Sequence, residues 1–514
     1  MAADGAAPIR DGDLIAAADL GSNSFHMVVA RYGHGELRVI DRLRETVQLA
    51  AGLRSDGTLT RERRESAFAC LARFGQRLAG FPTGRVRAVA TNAVRQLAHP
   101  QAFLLPAETA LGHPIEIVSG REEARLIYQG VAHGLPLSDE KRLVVDIGGG
   151  STEFIIGRGF DALERESLQV GCIASTLRFF ADGKITSRRW HQAQDEIAVE
   201  LQQFGAHYRE RGWAQAIGSS GTAKAIGSIV QANGWSDSGI TAASLGKLRD
   251  TLLRVGSSDG LDLPGLASDR AKIIAGGVVI LETVFDVFEL ERMQVCETAM
   301  REGLLYDMLG RVLQTDPRHT SIASLAERHG VDAAQAQRVG RTADLLFDQV
   351  KGSWDLGAEA RDLLAWCARI HEIGLAIAHS QHHLHGAYIA ANSDLAGFGS
   401  QEQALLAAIL RSHRRRPDAE ALRALPARMQ PTAQRLTALL RLAVLFHRAR
   451  SDEPLPDLRL EAGSGQVELS VPRRWLEQHP LTRVDLEQER DYLKHVGIKL
   501  QVAKPDARRV PAQE

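Results

Sequence analysis

The sequence predicts an α/β protein built on an internal duplication, and three observations carry that expectation. Residues 19–31 read DLGSNSFHMVVAR and residues 146–158 read DIGGGSTEFIIGR. Aligned without gaps, Asp19 falls on Asp146, Gly21 on Gly148, Ser24 on Ser151 and Arg31 on Arg158. Each copy follows an apolar run (IAAA at 15–18, LVV at 143–145) and leads into another (MVVA at 27–30, FII at 154–156), the pattern of strand, tight turn and strand. Second, each copy opens a segment with strands first and helices later, as in an α/β unit. Third, beyond about Asp316 strand signals give way to long Ala/Leu/Arg helices.

In chain order, a loose polar tail is expected over 1–13. Residues 15–42 read as three strands with turns around Ser22 and Gly33–Gly35. An amphipathic helix from Arg61 to Ala79 carries Phe68, Leu71, Phe74 and Leu78. Strands follow at 85–90 and 114–118, and Ser119 opens a helix to about His133. The Pro/Asp/Lys-rich stretch 135–141 is a domain boundary. The second lobe repeats the plan, with strands at 142–146, 152–157, 162–169, 214–218 and 293–297 and helices at 187–209, after Thr222 and to about Leu313. Long helices, for example 358–378 and 401–413, run to roughly 450. Strand-like alternation returns at 458–463, 467–471 and 496–502. The expected division is a lobe over 14–134, a second over 135–315, a helical unit over 316–430, a small α+β unit over 431–503 and a tail over 504–514.

At 514 residues the chain has room for about three or four domains. Its 44% apolar and 24% charged content is that of an ordinary globular protein. A net charge of −1 gives no global field, so no nucleic-acid partner is expected and any anion site must be local. No run of about 18 apolar residues would span a bilayer. The start (MAADGAAPIRDGD) has no apolar signal core, so the expected location is the cytoplasm. Membrane contact is at most peripheral, at the inner membrane, through basic helices. Cys70, Cys172, Cys296 and Cys367 form no metal-type pair and are expected as buried thiols.

The chemistry begins at the two turns. Gly21, Ser22, Asn23 and Ser24 in one, and Gly148, Gly149, Gly150 and Ser151 in the other, are small enough for backbone N–H groups to close on an anion. Asp19 and Asp146 end the strands before them, and a hard cation takes such oxygen ligands. Glu153 adds a second carboxylate beside Asp146, suited to Mg²⁺; alone it would be an exposed strand glutamate. His26 holds the equivalent place in the first copy and reads as a half-buried strand histidine. Together these features imply a polyanionic phosphate substrate and Mg²⁺ between two lobes, against the plainer alternative of a structural duplication.

In VSGREEARLIYQG (118–130), Ser119 reads as a helix N-cap and Glu122 as the partner that completes a capping box. Glu123 then has no structural duty. It shares a helical stripe with Ile127 and Gly130, and screening there raises a carboxyl pKa into the range of a usable base. The helix dipole opposes this by about 0.3–1 kcal/mol. A third small-residue turn, GSSGTAKAIG (218–227), offers Ser220, Gly221 and Thr222 to an anion, or simply joins a strand to a helix. Arg95 is placed to reach a phosphate bidentately, although surface-helix arginines are common. In the C-terminal half, His371, His385 and His413 are similar to the ligand frame of His-Asp metal-dependent phosphohydrolases. Glu372 stands where the defining aspartate is expected, which points to a frame kept without its metal. Arg411, Arg414, Arg415 and Arg416 form a local basic cluster.

On DLGSNSFHMVVA, SGREEARLIYQG, VVDIGGGSTE and GSSGT, in that order, the chain resembles the exopolyphosphatase/guanosine pentaphosphate phosphohydrolase family from Asp19 to about Val502. The resemblance implies two ribonuclease-H-like (actin-like ATPase) lobes, then a helical His-Asp-like domain and a small α+β domain. It implies that Glu123 matches the family's catalytic glutamate and that Asp146, Gly148 and Glu153 match positions tied to Mg²⁺ and activity. Asn23, Arg95 and Ser151 match phosphate-site positions. The third and fourth units resemble the longer, homodimeric members, in which polyphosphate threads a basic passage.

The expected activity is Mg²⁺-dependent hydrolysis of the terminal phosphoanhydride of inorganic polyphosphate, with Glu123 as general base. The nearest alternative is removal of the 5′ terminal phosphate of guanosine pentaphosphate. From other classes come an ATP-dependent kinase, which would need an acceptor pocket with its own Asp base, and a polyphosphate- or alarmone-binding regulator without turnover.

Overall fold

The computed structural model describes residues 9–33, 36–136, 138–312, 316–463 and 465–503. The tail expected over 1–13 lies outside these through residue 8, as do residues 34–35 of the expected Gly33–Gly35 turn and the tail 504–514. The chain divides into two compact units, Ala6–Asp316 and Pro317–Glu514.

The first unit contains two mixed sheets. One is built from β1 (Leu14–Leu20), β2 (Ser24–Gly33), β3 (Glu36–Thr46), β4 (Val86–Ala90) and β5 (Ile115–Ile117), in the order β3-β2-β1-β4-β5. β1, β2 and β3 are antiparallel, and β4 and β5 run parallel to β1. The other is built from β6 (Lys141–Ile147), β7 (Thr152–Arg158), β8 (Asp161–Leu168), β9 (Gln215–Ser219), the two-residue β10 (Ile240–Thr241) and β11 (Arg292–Val295). Its order is β10-β11-β9-β6-β7-β8, the same plan with β10 added at the edge. The duplication extends to a register shift: the ladder slips between Val29 and Ala30 in one copy and between Ile156 and Gly157, the aligned positions, in the other. Both sheets have the strand order of a ribonuclease-H-like lobe, as the resemblance implied.

The apolar strands are explained by what covers each face. Ala16, Ala18 and Leu20 point into a core closed by helices Arg61–Leu78 and Pro100–Leu111, while Ile15 and Ala17 point the other way. In β6, Leu143, Val145 and Ile147 face the second lobe's own core, and Val144 faces away. Both faces are dry, so the strands lose the polar alternation of half-exposed ones. Ile15, Ala17 and Val28 of one sheet and Val144, Ile155 and Ile217 of the other share a core with helices Gly120–Gly134 and Met300–Val312. Ahead of β1, Ile9 joins this core and the Gly12 N–H bonds the Tyr32 carbonyl at 2.8 Å.

Those two helices touch backbone to backbone. A Cβ on Gly130 would collide with the Ala299 carbonyl oxygen, and one on Gly303 with the Leu126 carbonyl oxygen. Charge locks the crossing. Asp307 accepts from both Arg87 and Arg125, and Arg125 grips Glu122 bidentately at 2.8 Å. All four side chains are buried. Removing the shared acceptor takes a carboxylate from two buried guanidiniums, which keep Glu122 and Glu116, so Asp307→Ala is expected to cost up to about 3–5 kcal/mol in urea unfolding. A loss below about 1 kcal/mol would mean the network is solvated.

In the second unit, seven longer helices, from Pro317–Arg328 to Pro480–Lys494, and a sheet in the order β12-β13-β14 share one apolar core. The strands are β12 (Arg459–Gly463), β13 (Gln466–Ser470) and β14 (Lys499–Ala503). The helix expected over 358–378 stops at Ile370. Beyond it Gly374 packs so closely on helix His382–Asn392 that a Cβ would meet the His382 carbonyl oxygen. The histidine frame is also different. His371 and His413 are joined by His382 and His383, with ring centroids 5.8–6.3 Å apart, and His385 is not one of these rings. The reason is helical phase: the helix begins at His382, which turns His382, His383 and Gly386 inward and leaves His385 half-buried. Burial lowers the pKa of each of the four, to about 4 for His382 and His383. No helix of the described residues is long and apolar enough to cross a membrane.

Candidate active site

Strand register positions the charged groups. Asp19 lies opposite His26 in the β1–β2 ladder, and Asp146 lies opposite Glu153 in β6–β7. Each pair sits at the turn end of its hairpin. β6 also runs beside β9, which brings Asp146 level with Ser219, a hydrogen-bond partner of its carboxylate.

The two turns meet. A Cβ on Gly149 would lie 3.2 Å from the Ser22 Cβ and 3.3 Å from the Asn23 nitrogen, so a larger side chain has no room there. Their carbonyls are turned away and occupied. Val47 and Gln48 donate to the Asn23 oxygen, Ala50 to Ser22, Cys172 to Gly148, and Ile173 and Ala174 to Gly149. Among the described residues, the N–H groups of Ser22, Asn23, Gly149 and Gly150 have no acceptor. All four residues line a cavity of about 270 Å³. Unspent donors on small-residue turns form an anion cradle. The third turn joins them: the Ser220 hydroxyl donates to the Ile147 carbonyl at 3.0 Å, with Ser220 held at φ 80°. Gly221 and Thr222 line the same cavity.

Glu123 enters from the helix Gly120–Gly134. Ser119 caps it, accepting the Glu122 N–H on its hydroxyl at 3.2 Å. The Glu122 carboxylate is engaged by Arg125, so its structural duty is a buried ion pair. Glu123, one residue on, lines the cavity. Arg95 donates through Nη1 to Glu123 Oε2 at 2.8 Å and to the Val118 carbonyl at 2.7 Å. Glu123 Oε1 keeps no partner among the described residues. The sequence predicts Arg95 on a phosphate. Its guanidinium instead sits on Glu123, and Arg95 is not among the residues lining the cavity.

Four carboxylates, Asp19, Glu123, Asp146 and Glu153, line the cavity together. Burial raises the pKa of each, and repulsion from neighbouring carboxylates adds to it at Asp19, Asp146 and Glu153. Asp146 is pushed up to about 6, against a hydrogen bond from Ser219. Asp19 and Glu153 go well above the usual carboxylate range. Burial raises Glu123 too, and Arg95 opposes it. Such a cluster favours a cation. Among the described residues no three His, Cys, Asp or Glu groups close on one point. Mg²⁺ is commonly held by only one or two carboxylates and completes its shell with water and phosphate oxygens. Asp19 Oδ1 and Asn23 Oδ1 are buried without partners, orphaned oxygens that an ion and its waters would satisfy.

Four cations, unassigned by the sequence reading, line the cavity as well: Arg44, Lys224, Arg270 and Arg301. Lys224 follows the third turn by two residues and was the one within reach of motif reasoning. Arg270 lies in an irregular stretch, and burial lowers its pKa. It fits because Gly221 has no side chain; a Cβ there would collide with the guanidinium. Asp19, the three turns, Glu123, Asp146 and Glu153, all named from the sequence, thus meet at one place, and the positive wall is new to the structure.

Residues 28–312 match the Ppx/GppA phosphatase family, and residues 318–490 match domain III of that family. Solved structures similar to this chain include an exopolyphosphatase from Cytophaga hutchinsonii, at 24% identity over 58% of this chain and 98% of that one, with a TM-score of 0.54. An exopolyphosphatase-like protein matches at 21% identity over 59% and 100%, also with a TM-score of 0.54. A Ppx/GppA family member from Aquifex aeolicus matches at 25% identity over 59% and 98%, with a TM-score of 0.49. The likeness to the first two is one of fold. The family match itself spans more than half of the chain and includes the second turn, Glu123, Asp146 and Glu153, with Asp19 and the first turn just ahead of it. This protein belongs to the Ppx/GppA phosphatase family of phosphoanhydride hydrolases.

Proposed function

We propose that the protein is an exopolyphosphatase that removes orthophosphate from the free end of inorganic polyphosphate. The observation that carries this reading is Glu123: a buried carboxylate with one oxygen pinned by Arg95 and the other open, beside turns whose N–H groups are unspent. The terminal phosphate would sit on the N–H groups of Ser22, Asn23, Gly149 and Gly150. Water attacks the terminal phosphorus, Glu123 takes its proton, and the bond from phosphorus to the bridging oxygen breaks. Orthophosphate and a chain shorter by one unit leave. Mg²⁺, held by one or two of Asp146, Glu153 and Asp19, would supply neutralisation of charge on the phosphate oxygens.

Guanosine pentaphosphate offers the same bond with a guanine attached. No Phe, Tyr or Trp lines the cavity among the described residues, and its four cations suit a run of phosphates. Membership of the longer, homodimeric branch is part of the same proposal. The test is orthophosphate release by the pure protein with Mg²⁺ from long polyphosphate, from guanosine pentaphosphate, and from ATP with sugars. Fastest release from polyphosphate supports this reading. Preference for the nucleotide would transfer the assignment to it.

Arg95 gives a further prediction. It holds the Glu123 pKa down, and a base must be ionised to act. Arg95→Gln is therefore expected to move the acid limb of the kcat/KM profile to higher pH, with Arg95→Lys in between. An unmoved limb would separate Arg95 from the base.

A further inference from the structure

We propose that His26 donates a hydrogen bond from Nε2 to a phosphoryl oxygen of the substrate, and that Arg301 is the positioning residue that fixes its tautomer. The proposal rests on the phosphoanhydride-hydrolase reading and adds a substrate contact to it.

The register sets Asp19, His26 and Arg44 abreast across β1, β2 and β3, and all three line the cavity. Arg301 Nη1 lies 2.8 Å from His26 Nδ1. A guanidinium has donors only, so Nδ1 must be the acceptor, and the single ring proton is on Nε2. Arg301 is itself anchored. Its Nε donates to Glu302 Oε1 at 3.0 Å, and Glu302 Oε2 accepts the Ala299 N–H at 3.0 Å. His26 Nε2 has no partner among the described residues, and it is not one of their sealed, unpartnered atoms, so it opens on the cavity. Burial, with Arg301, Arg44, Arg270 and Lys224 around it, lowers the ring's pKa to about 3. At working pH it is a neutral donor, not an acid or a base.

The two copies of the hairpin thus diverge at one position. Where one pairs Asp146 with Glu153, the other pairs Asp19 with His26. The first pair is acceptor-only and suits a cation. The second adds a donor suited to phosphate oxygen. A neutral imidazole makes this contact without adding a fifth positive charge to the wall, and without being drawn into an ion pair with Asp19.

The test uses the whole protein with polyphosphate and Mg²⁺. His26→Leu is expected to lower kcat/KM by about 10- to 100-fold, the worth of a hydrogen bond to a charged group. The loss should be equal at every pH from about 6 to 9, because the ring does not titrate there. His26→Gln, which keeps a side-chain N–H, should recover a part of it. In ¹⁵N-labelled wild type, imidazole NMR should show a neutral His26 with the proton on Nε2, and this N–H signal should shift when orthophosphate is added. An Nδ1–H tautomer, a protonated ring at pH 7, or wild-type kcat/KM in His26→Leu would overturn the proposal. If the leucine variant does not fold, His26→Gln and the wild-type spectrum decide. Wild type that releases no phosphate from polyphosphate or guanosine pentaphosphate would instead defeat the hydrolase reading, which the NMR arm does not depend on.

Discussion

Glu123→Gln is expected to lower kcat on polyphosphate by about 10²- to 10⁴-fold, the usual contribution of a positioned base. KM should stay near the wild-type value. The amide keeps size and shape, and its oxygen still accepts from Arg95, so the loss isolates proton transfer from packing. It should also stay folded, because the ion-pair network that secures this helix runs through Glu122, Arg125 and Asp307, not through Glu123. Stopped turnover with intact binding separates a base from a phosphate ligand: loss of a ligand would raise KM. Near-normal release by this variant would remove Glu123 from the mechanism.

Asp146→Asn is expected to have two effects of opposite sign. Activity should fall by at least about 10²-fold, because a metal's charge on the phosphate oxygens is worth several kcal/mol. Stability without metal should rise. Burial pushes Asp146 from 3.8 up to about 6, so the folded state binds a proton that the unfolded state has released. This group's contribution is therefore greatest below pH 4 and lost as pH rises through 6. A shift of about two units corresponds to roughly 3 kcal/mol, an upper bound here because the site is crowded. Thermal unfolding at pH 8 without metal should show the variant above wild type, with the gap closing near pH 4. Added Mg²⁺ should raise the wild-type Tm and leave the variant's unchanged. A metal-free variant no more stable than wild type at pH 8 would mean that Asp146 ionises without strain.

Much of this was legible because the duplication carries its own register. Once Asp19 and Asp146 are aligned, the turns, the strand pairs and even the placing of Glu153 against His26 follow. Glu123 was legible because Ser119 fixes the helix start and Glu122 is otherwise engaged. The helix Ile274–Phe288 was not legible: it is buried nearly all round and rich in Val and Ile, so no face shows a period of 3.6. The positive wall was illegible for another reason. Arg44 sits on a strand, Arg301 at a helix start and Arg270 in an irregular stretch, each ordinary in its local sequence. Only the fold brings them to one cavity. Arg95 illustrates a limit of the same kind, since its spacing fits a phosphate contact equally well as a clamp on Glu123. In the second unit, the choice of His382 and His383 over His385 depended on the residue at which a helix begins, which local sequence fixes poorly.

The most direct test of the central claim is polyphosphate hydrolysis in ¹⁸O-labelled water, with the wild-type protein and the Glu123→Gln variant side by side. Attack of water on the terminal phosphorus beside Glu123 predicts one labelled oxygen in each orthophosphate released by wild type, and almost no release by the variant. Label appearing at the end of the shortened chain, or equal release by both proteins, would contradict it.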